Sequence, residues 1–191
     1  MKEFFANGKL LITGEYLVLN GAKSLAVPTH KGQKLLFTEK STQTLSWRSL
    51  DNKGKTWFEG VFSSENFKII EASNSNTANF LQQLLINAKN IKNAPITFSG
   101  EVTTKLDFPR NWGFGSSSSL ISCVAQWFKI DAFKLHFSIS NGSGYDVACA
   151  NSNSAITYKL TNKTSSYETI KWKPTFKKSL FFVHLGYFES V

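Results

Sequence analysis

Arginine is nearly missing from this 191-residue chain. Of 22 basic residues, only Arg48 and Arg110 are not lysine. Proteins that read bases and phosphates recruit the bidentate guanidinium fork. The lysines are scattered singly, apart from a loose cluster at Lys171, Lys173, Lys177 and Lys178. A nucleic-acid partner is therefore not expected, although 13 acidic residues leave a formal net charge of +9. That charge is compatible with a funnel for a phosphorylated small ligand. Cysteine is scarce too: Cys123 and Cys149 lie in apolar segments and read as buried free thiols of a reducing compartment. No apolar run approaches the roughly 18 residues of a membrane span. The longest candidates, such as Leu180-Phe181-Phe182-Val183, are strand-sized, so no membrane partner is expected. The opening residues, with Glu3 and Asn7-Gly8, contain no signal-peptide core. A soluble, cytoplasmic chain is expected. No internal repeat is visible.

Apolar residues make up 41 % of the chain and aromatics 14 %, enough for a packed core and against disorder. The length fits one complete domain with part of a second. Residues 33–62 read as antiparallel strands broken by the turn Asp51-Asn52-Lys53-Gly54. Ser73–Asn76 reads as a capping loop. Behind it, Phe80, Leu81, Leu84, Leu85, Ala88 and Ile91 share one helical face between Thr77 and Lys92. Residues 95–104 read as a strand. A second helix follows Gly115, with Leu120, Ile121, Val124, Ala125 and Phe128 on its apolar face, and Asp131 caps a third. Residues 156–158, 167–172 and 180–184 read as further strands. The class is α+β.

Three segments carry candidate chemistry. Pro109-Arg110-Asn111-Trp112-Gly113-Phe114-Gly115-Ser116-Ser117-Ser118-Ser119 links a strand to an amphipathic helix. A helix start offers unpartnered N–H groups and partial positive charge. Glycines let the backbone approach a ligand, and serines add donors without bulk. This is the physics of a phosphate cradle, without the Lys-Ser/Thr ending of a Walker A loop. A plain serine-rich cap would look the same. Gly8-Lys9 through Gly14-Glu15-Tyr16 sets a lysine and a glutamate in an apolar frame. An ordinary snorkelling lysine and a surface acid explain it equally well. In Ser143-Gly144-Tyr145-Asp146-Val147-Ala148, Asp146 stands at a helix start, where the dipole alone favours a carboxylate.

Taken together and in this order, the three resemble the motifs of the GHMP kinase superfamily, which includes galactokinase, homoserine kinase, mevalonate kinase and phosphomevalonate kinase. Gly8-Lys9…Gly14-Glu15 resembles the opening motif. The glycine–serine loop resembles the phosphate loop, with Phe114 where leucine is usual. Ser143-Gly144-Tyr145-Asp146 resembles the Ser-Gly-x-Asp motif of the mevalonate and phosphomevalonate branch, and is similar to a Gly-Tyr-Asp-Ile-Ala signature. The resemblance spans roughly residues 4–160 and implies two domains. Residues 1–165 would form an N-terminal domain like ribosomal protein S5 domain 2. Residues 166–191 would begin a ferredoxin-like C-terminal half that is mostly absent, since the family's third glycine motif has no counterpart here.

The implied activity is transfer of the γ-phosphoryl group of ATP to a hydroxyl of a small, mevalonate-like metabolite. The alternatives are a phosphomevalonate kinase, a diphosphomevalonate decarboxylase-like enzyme, or a non-catalytic nucleotide- or RNA-binding module. The resemblance assigns Gly113, Phe114, Gly115, Ser116, Ser117 and Ser118 to the ATP phosphates and Ser117 also to Mg²⁺. It assigns Asp146 and Lys9 to catalysis and Glu15, Tyr16 and Gly144 to substrate. Residues 133–137 hold no carboxylate where mevalonate kinases place a Mg²⁺-binding glutamate, and Tyr16 stands where they place histidine. The incomplete second half implies weak turnover by this chain alone and self-association through an exposed interdomain face.

Overall fold

The computed structural model describes residues 1–93, 98–162 and 164–184. Strands β1 (Lys2–Thr13), β2 (Ser24–Glu39), β3 (Thr44–Leu50), β4 (Thr56–Ser63) and β5 (Ile69–Ala72) come first. Helix α1 (Ser75–Lys92), strand β6 (Gly100–Leu106) and helices α2 (Ser116–Phe128), α3 (Ala132–Ile139) and α4 (Tyr145–Ala150) follow. Strands β7 (Ile156–Thr161) and β8 (Thr164–Thr169) come last. All eight strands share one sheet, in the order β5-β4-β3-β6-β2-β7-β8, with β1 paired to β2.

The hairpin β3–β4 forms as its alternation demands. Leu45, Trp47, Phe58 and Phe62 are buried on one face. Arg48 and Glu59 pair on the other, at 2.9 Å. Asp51 Oδ1 closes the turn by accepting from the amides of Lys53 and Lys55, at 2.9 and 2.8 Å. The expected run of antiparallel neighbours from residue 33 to 62 is corrected at one point. β6 lies between β2 and β3, parallel to β3 and antiparallel to β2. Short-range patterning cannot reveal so distant a partner. Of the strand expected over 95–104, residues 95–97 lie outside the described residues; β6 runs on to Leu106.

β2 is long because it serves three partners: β1 along one side, β7 near its start and β6 near its end. Its register with β1 jumps between Asn7↔Gly32 and Gly8↔Thr29, leaving His30 and Lys31 unpaired. Such a bulge re-aims the backbone. Just past it, Lys9, opposite Pro28 in the ladder, donates its backbone N–H outward to Phe114 O at 2.9 Å.

The helices cover one face of the sheet. α1 starts at Asn74, whose Oδ1 accepts from Thr77 N at 2.9 Å, and buries Leu81, Leu84 and Leu85. α3 starts at Asp131, which caps Lys134 N at 2.8 Å. α2 is more enclosed than a single apolar face implies: Cys123 and Trp127 are buried as well as Ile121, Val124, Ala125 and Phe128. Its buried Ser118, Ser119 and Ser122 keep that helix slim enough to pack on all sides. The main core joins Leu35, Phe37, Trp47, Phe58, Leu84 and Trp127 with the helices.

The segment Leu180–His184 corrects an expectation. It pairs with no strand among the described residues. Instead Phe182 packs on Phe114 and Trp112, with ring centroids 4.6 and 5.5 Å away. The strand expected over 167–172 is β8, which starts earlier and stops at Thr169.

Candidate active site

The three segments converge where β1 meets the start of α2. The loop from β6 makes a short 3-10 turn, Arg110–Trp112, then runs through Gly113 and Gly115 at φ 72° and 81°. That left-handed backbone suits glycine. Phe114 faces inward: 5 % exposed, it joins Leu106 and Phe108 in a small cluster. It contributes its carbonyl to Lys9 and an anchor to the loop through its buried ring.

α2 begins differently from α1 and α3. Gly115 occupies the N-cap and brings no capping side chain. The first helical bond runs from Ser119 N to Gly115 O at 3.0 Å. The amides of Ser116, Ser117 and Ser118 precede it and have no helical acceptor. The hydroxyls divide in their roles. Ser118 Oγ turns back to Gly115 O at 2.9 Å, and Ser119 Oγ reaches Gln33 Oε1 at 2.8 Å. Both serines are buried, so Ser118 has only its amide to offer a ligand. Ser117 is exposed, with its hydroxyl free of those bonds.

Beside this helix start opens a cavity of about 280 Å³, lined among others by Trp57, Thr77, Phe80, Arg110, Ser116 and Ser117. The Arg110 guanidinium lies over the Trp57 ring at 3.6 Å. A larger concavity, about 460 Å³, lies on the sheet around Arg48, Glu59 and Glu101 and contains none of the candidate residues.

Lys9 lies alongside the loop. A Cβ on Gly115 would stand 3.1 Å from Lys9 Cγ, 3.2 Å from its Cε and 2.5 Å from Ser118 Oγ. Lys9 Nζ donates to Tyr145 Oη at 2.8 Å and lies 5.2 Å from the centroid of its ring. Tyr145 opens α4, and its neighbour Asp146 accepts from Val147 N at 3.0 Å. Burial raises the Tyr145 pKa; Lys9 opposes that rise, while Asp146 and Glu15 add to it. Burial likewise pushes the Cys149 thiol up to about 12, with opposed contributions from Lys9 and Asp146. The two charges therefore act on the same pocket, although among the described residues they form no ion pair with each other.

Gly144 holds the approach to α4 at φ 82°. A Cβ there would stand 3.3 Å from Phe137 and 3.4 Å from Tyr158 Oη. Tyr158 Oη donates to Ser143 O, and His136 Nε2 lies 3.3 Å from Gly142 O, so this turn is fixed from below. Glu15 lies on the rim, exposed. Tyr16 follows at φ 60°, 81 % exposed and outside the Lys9–Tyr145 contact. No cluster of three or more His, Cys, Asp or Glu with metal-binding geometry occurs among the described residues. Tyr145 is the residue to which motif reasoning gives no role: the Ser-Gly-x-Asp pattern leaves its position free, the Gly-Tyr-Asp-Ile-Ala signature marks it without assigning it chemistry, and its contact with Lys9 exists only in three dimensions.

The fold defines the class first: it is that of the N-terminal domain of GHMP kinases. The particular likenesses are to solved kinases of low sequence identity. Mevalonate kinase from Methanococcus jannaschii superposes with a TM-score of 0.65 at 13 % identity, over 90 % of this chain and 56 % of that one. D-glycero-D-manno-heptose 1-phosphate kinase from Bacteroides thetaiotaomicron gives 0.67 at 15 %, over 90 % and 60 %. Streptococcus pneumoniae phosphomevalonate kinase, in complex with phosphomevalonate and AMPPNP, gives 0.61 at 17 %, over 85 % and 51 %. The chain thus spans little more than half the length of these proteins. No family model matches the sequence, and neither does any curated protein. No helix among the described residues is long and apolar enough to cross a membrane.

Proposed function

We propose that this chain is the nucleotide- and acceptor-binding part of an ATP-dependent small-molecule kinase, cytoplasmic, acting on a mevalonate-like hydroxyl. The observation that carries the proposal is the meeting of Lys9, the uncapped α2 start and the Tyr145–Asp146 helix end, three segments far apart in sequence. Packing alone does not require an unpartnered helix start, a lysine and a carboxylate in one place; a reaction that moves negative charge does.

In this reading the backbone of Gly113–Ser118 cradles the phosphates, and the cavity beside Phe80 and Trp57 takes the nucleoside. Ser117, through its exposed hydroxyl, is the residue that would be available to a phosphate-bound Mg²⁺, which would neutralise phosphate charge. Asp146 takes the acceptor hydroxyl's proton as the new O–P bond forms and the bond to the leaving ADP breaks. Lys9 stabilises the charge that develops, and Glu15, Tyr16 and Gly144 shape the acceptor side. In this reading residues 1–165 belong to the first domain and residues 166–191 open a second half, with β8, Thr164–Thr169, crossing that boundary within the one sheet.

A direct test is titration of Mg·ATP against the wild-type chain and Ser117→Ala, with single-stranded RNA as the competing ligand. Saturable ATP binding at moderate salt, weakened by Ser117→Ala only when Mg²⁺ is present, is expected. RNA binding with steep salt dependence and no ATP binding would overturn the proposal.

A further inference from the structure

Gln33 stands in the middle of the sheet, on β2 between Ala6 of β1 and Leu106 of β6. It is 3 % exposed and lines the cavity beside the α2 start. A glutamine this deep needs partners at both ends of its amide. One end has them: Ser119 Oγ donates to Gln33 Oε1 at 2.8 Å. The other end, Nε2, makes no hydrogen bond among the described residues. Nor is it one of their sealed unpaired atoms, which are Trp57 Nε1, Trp127 Nε1 and His136 Nδ1. What little of Gln33 is exposed therefore includes this nitrogen, and it opens on the cavity. Ser49, the other buried polar residue of that wall, is committed inward: its Oγ accepts from Trp47 Nε1 at 3.1 Å and from Thr104 Oγ1 at 3.0 Å. Phe80, Leu81 and Leu106 make the cavity apolar, Arg110 and Ser116 bring further N–H groups, and no described carboxylate lines it. Its volume, about 280 Å³, is just under the roughly 300–1,000 Å³ of pockets that enclose a whole ligand. That suits one ring system, not an entire nucleotide.

We propose that Gln33 reads the nucleobase: its Nε2 donates to a ring nitrogen of a purine seated in this cavity, an inference that rests on the reading of the cavity as the nucleoside site. An apolar slot accepts any flat ring of the right size. A single unpaired donor is more selective. A base that presents an acceptor there satisfies the amide, whereas one that presents C–H or N–H leaves a buried donor without a partner, which is the costly case. Ser119 links this contact to the phosphates. It stands in the first turn of α2, whose free amides serve the phosphates in the same reading, and its hydroxyl orients the Gln33 amide. Base recognition and phosphate cradle thus share one hydrogen-bonded unit.

The experiment is calorimetric titration of the chain with ATP and with its 1-deaza, 3-deaza and 7-deaza analogues, each of which replaces one ring nitrogen by C–H. One of the three should bind about tenfold more weakly than ATP or worse, and the other two within about threefold of it. Gln33→Met keeps the length of the side chain and removes the amide. In that variant ATP should weaken to the level of the affected analogue, and the four ligands should no longer differ. The wild-type series does not depend on how Gln33→Met folds. A merely structural glutamine would change the melting temperature of Gln33→Met and give the wild type no preference among the analogues. Equal affinities for all four ligands in the wild type, or the same preference retained by folded Gln33→Met, overturns the proposal and leaves the kinase reading standing. A chain that binds none of the four refutes the kinase reading itself, and the role of Gln33 with it.

Discussion

Gly115 is where backbone, lysine and helix start come within contact distance, and substitution there tests the loop most sharply. Valine would force a side chain to 2.5 Å from Ser118 Oγ and 3.1 Å from Lys9 Cγ, at φ 81°. ATP affinity should fall by at least about tenfold, and left-handed strain should cost about 1–2 kcal/mol. Gly113→Ala is the matched comparison: φ is again positive, at 72°, but its Cβ meets nothing within 4 Å. It should lose stability without the steric loss of affinity. Calorimetric titration and thermal melts of both variants separate the two effects. The thiols give a pH prediction. Burial raises Cys123 and Cys149 from 9.0 to about 12. The folded state thus holds these protons more tightly than the unfolded state. The stability this gives is full below about pH 9 and lost as pH rises toward about 12. Urea unfolding at about pH 8 and about pH 10.5 should show the decline, and Cys123→Ala should flatten it. That Lys9 and the Tyr145–Asp146 helix start share one corner was legible at this scale, because motif spacing marks residue types. The inward turn of Phe114 and the bond from Lys9 to Tyr145 were not, because both depend on contacts between segments.

Helix α3 was legible down to its cap, Asp131, because that residue acts locally; for α1 an asparagine cap was expected within Ser73–Asn76 ahead of Thr77, and the helix starts two residues earlier, at Ser75, capped by Asn74. Removing one such cap, Asn74→Ala, should cost about 1 kcal/mol, measurable by chemical denaturation. The β3–β4 hairpin was legible for the same reason: alternation and the Asp51 turn need no distant partner. The place of β6 was not, since it pairs with β3 across an intervening helix. Leu180–His184 shows the opposite failure. Its Leu-Phe-Phe-Val composition suits a strand, but a strand needs an edge, and these residues lie on the glycine loop instead. Phe182 touches Trp112 and Phe114, and His184 Nε2 lies 3.0 Å from Asn111 O. Phe182→Ala should therefore loosen the loop. ATP binding should weaken several-fold while the melt shifts little, because Phe182 is 44 % exposed. Equal affinities would detach this segment from the site.

At the scale of the molecule, the candidate site is open on one side. Glu15, Gly113 and Ser117 are exposed, and the chain spans 51–60 % of the three kinases compared above. Phosphoryl transfer gains most from donors acting where water is excluded, since interactions between charges weaken sharply as the local dielectric rises. Each preorganised donor that is lost commonly costs on the order of 10²–10³ in rate. This chain should therefore bind Mg·ATP measurably yet turn over slowly. The apolar surface near its described end points the same way. Phe176, Leu180, Phe181 and Val183 are 55, 49, 82 and 70 % exposed. So large a run of exposed apolar side chains seeks cover, and self-association is expected. Sedimentation velocity across a concentration series should show growth beyond the monomer, reduced by Phe181→Ser. Coupled ADP release with mevalonate and with phosphomevalonate, run alongside, should stay near background with either acceptor. Rapid turnover by the monomer would show that residues 1–191 enclose the site unaided, and solvent exposure would then not be what limits the reaction.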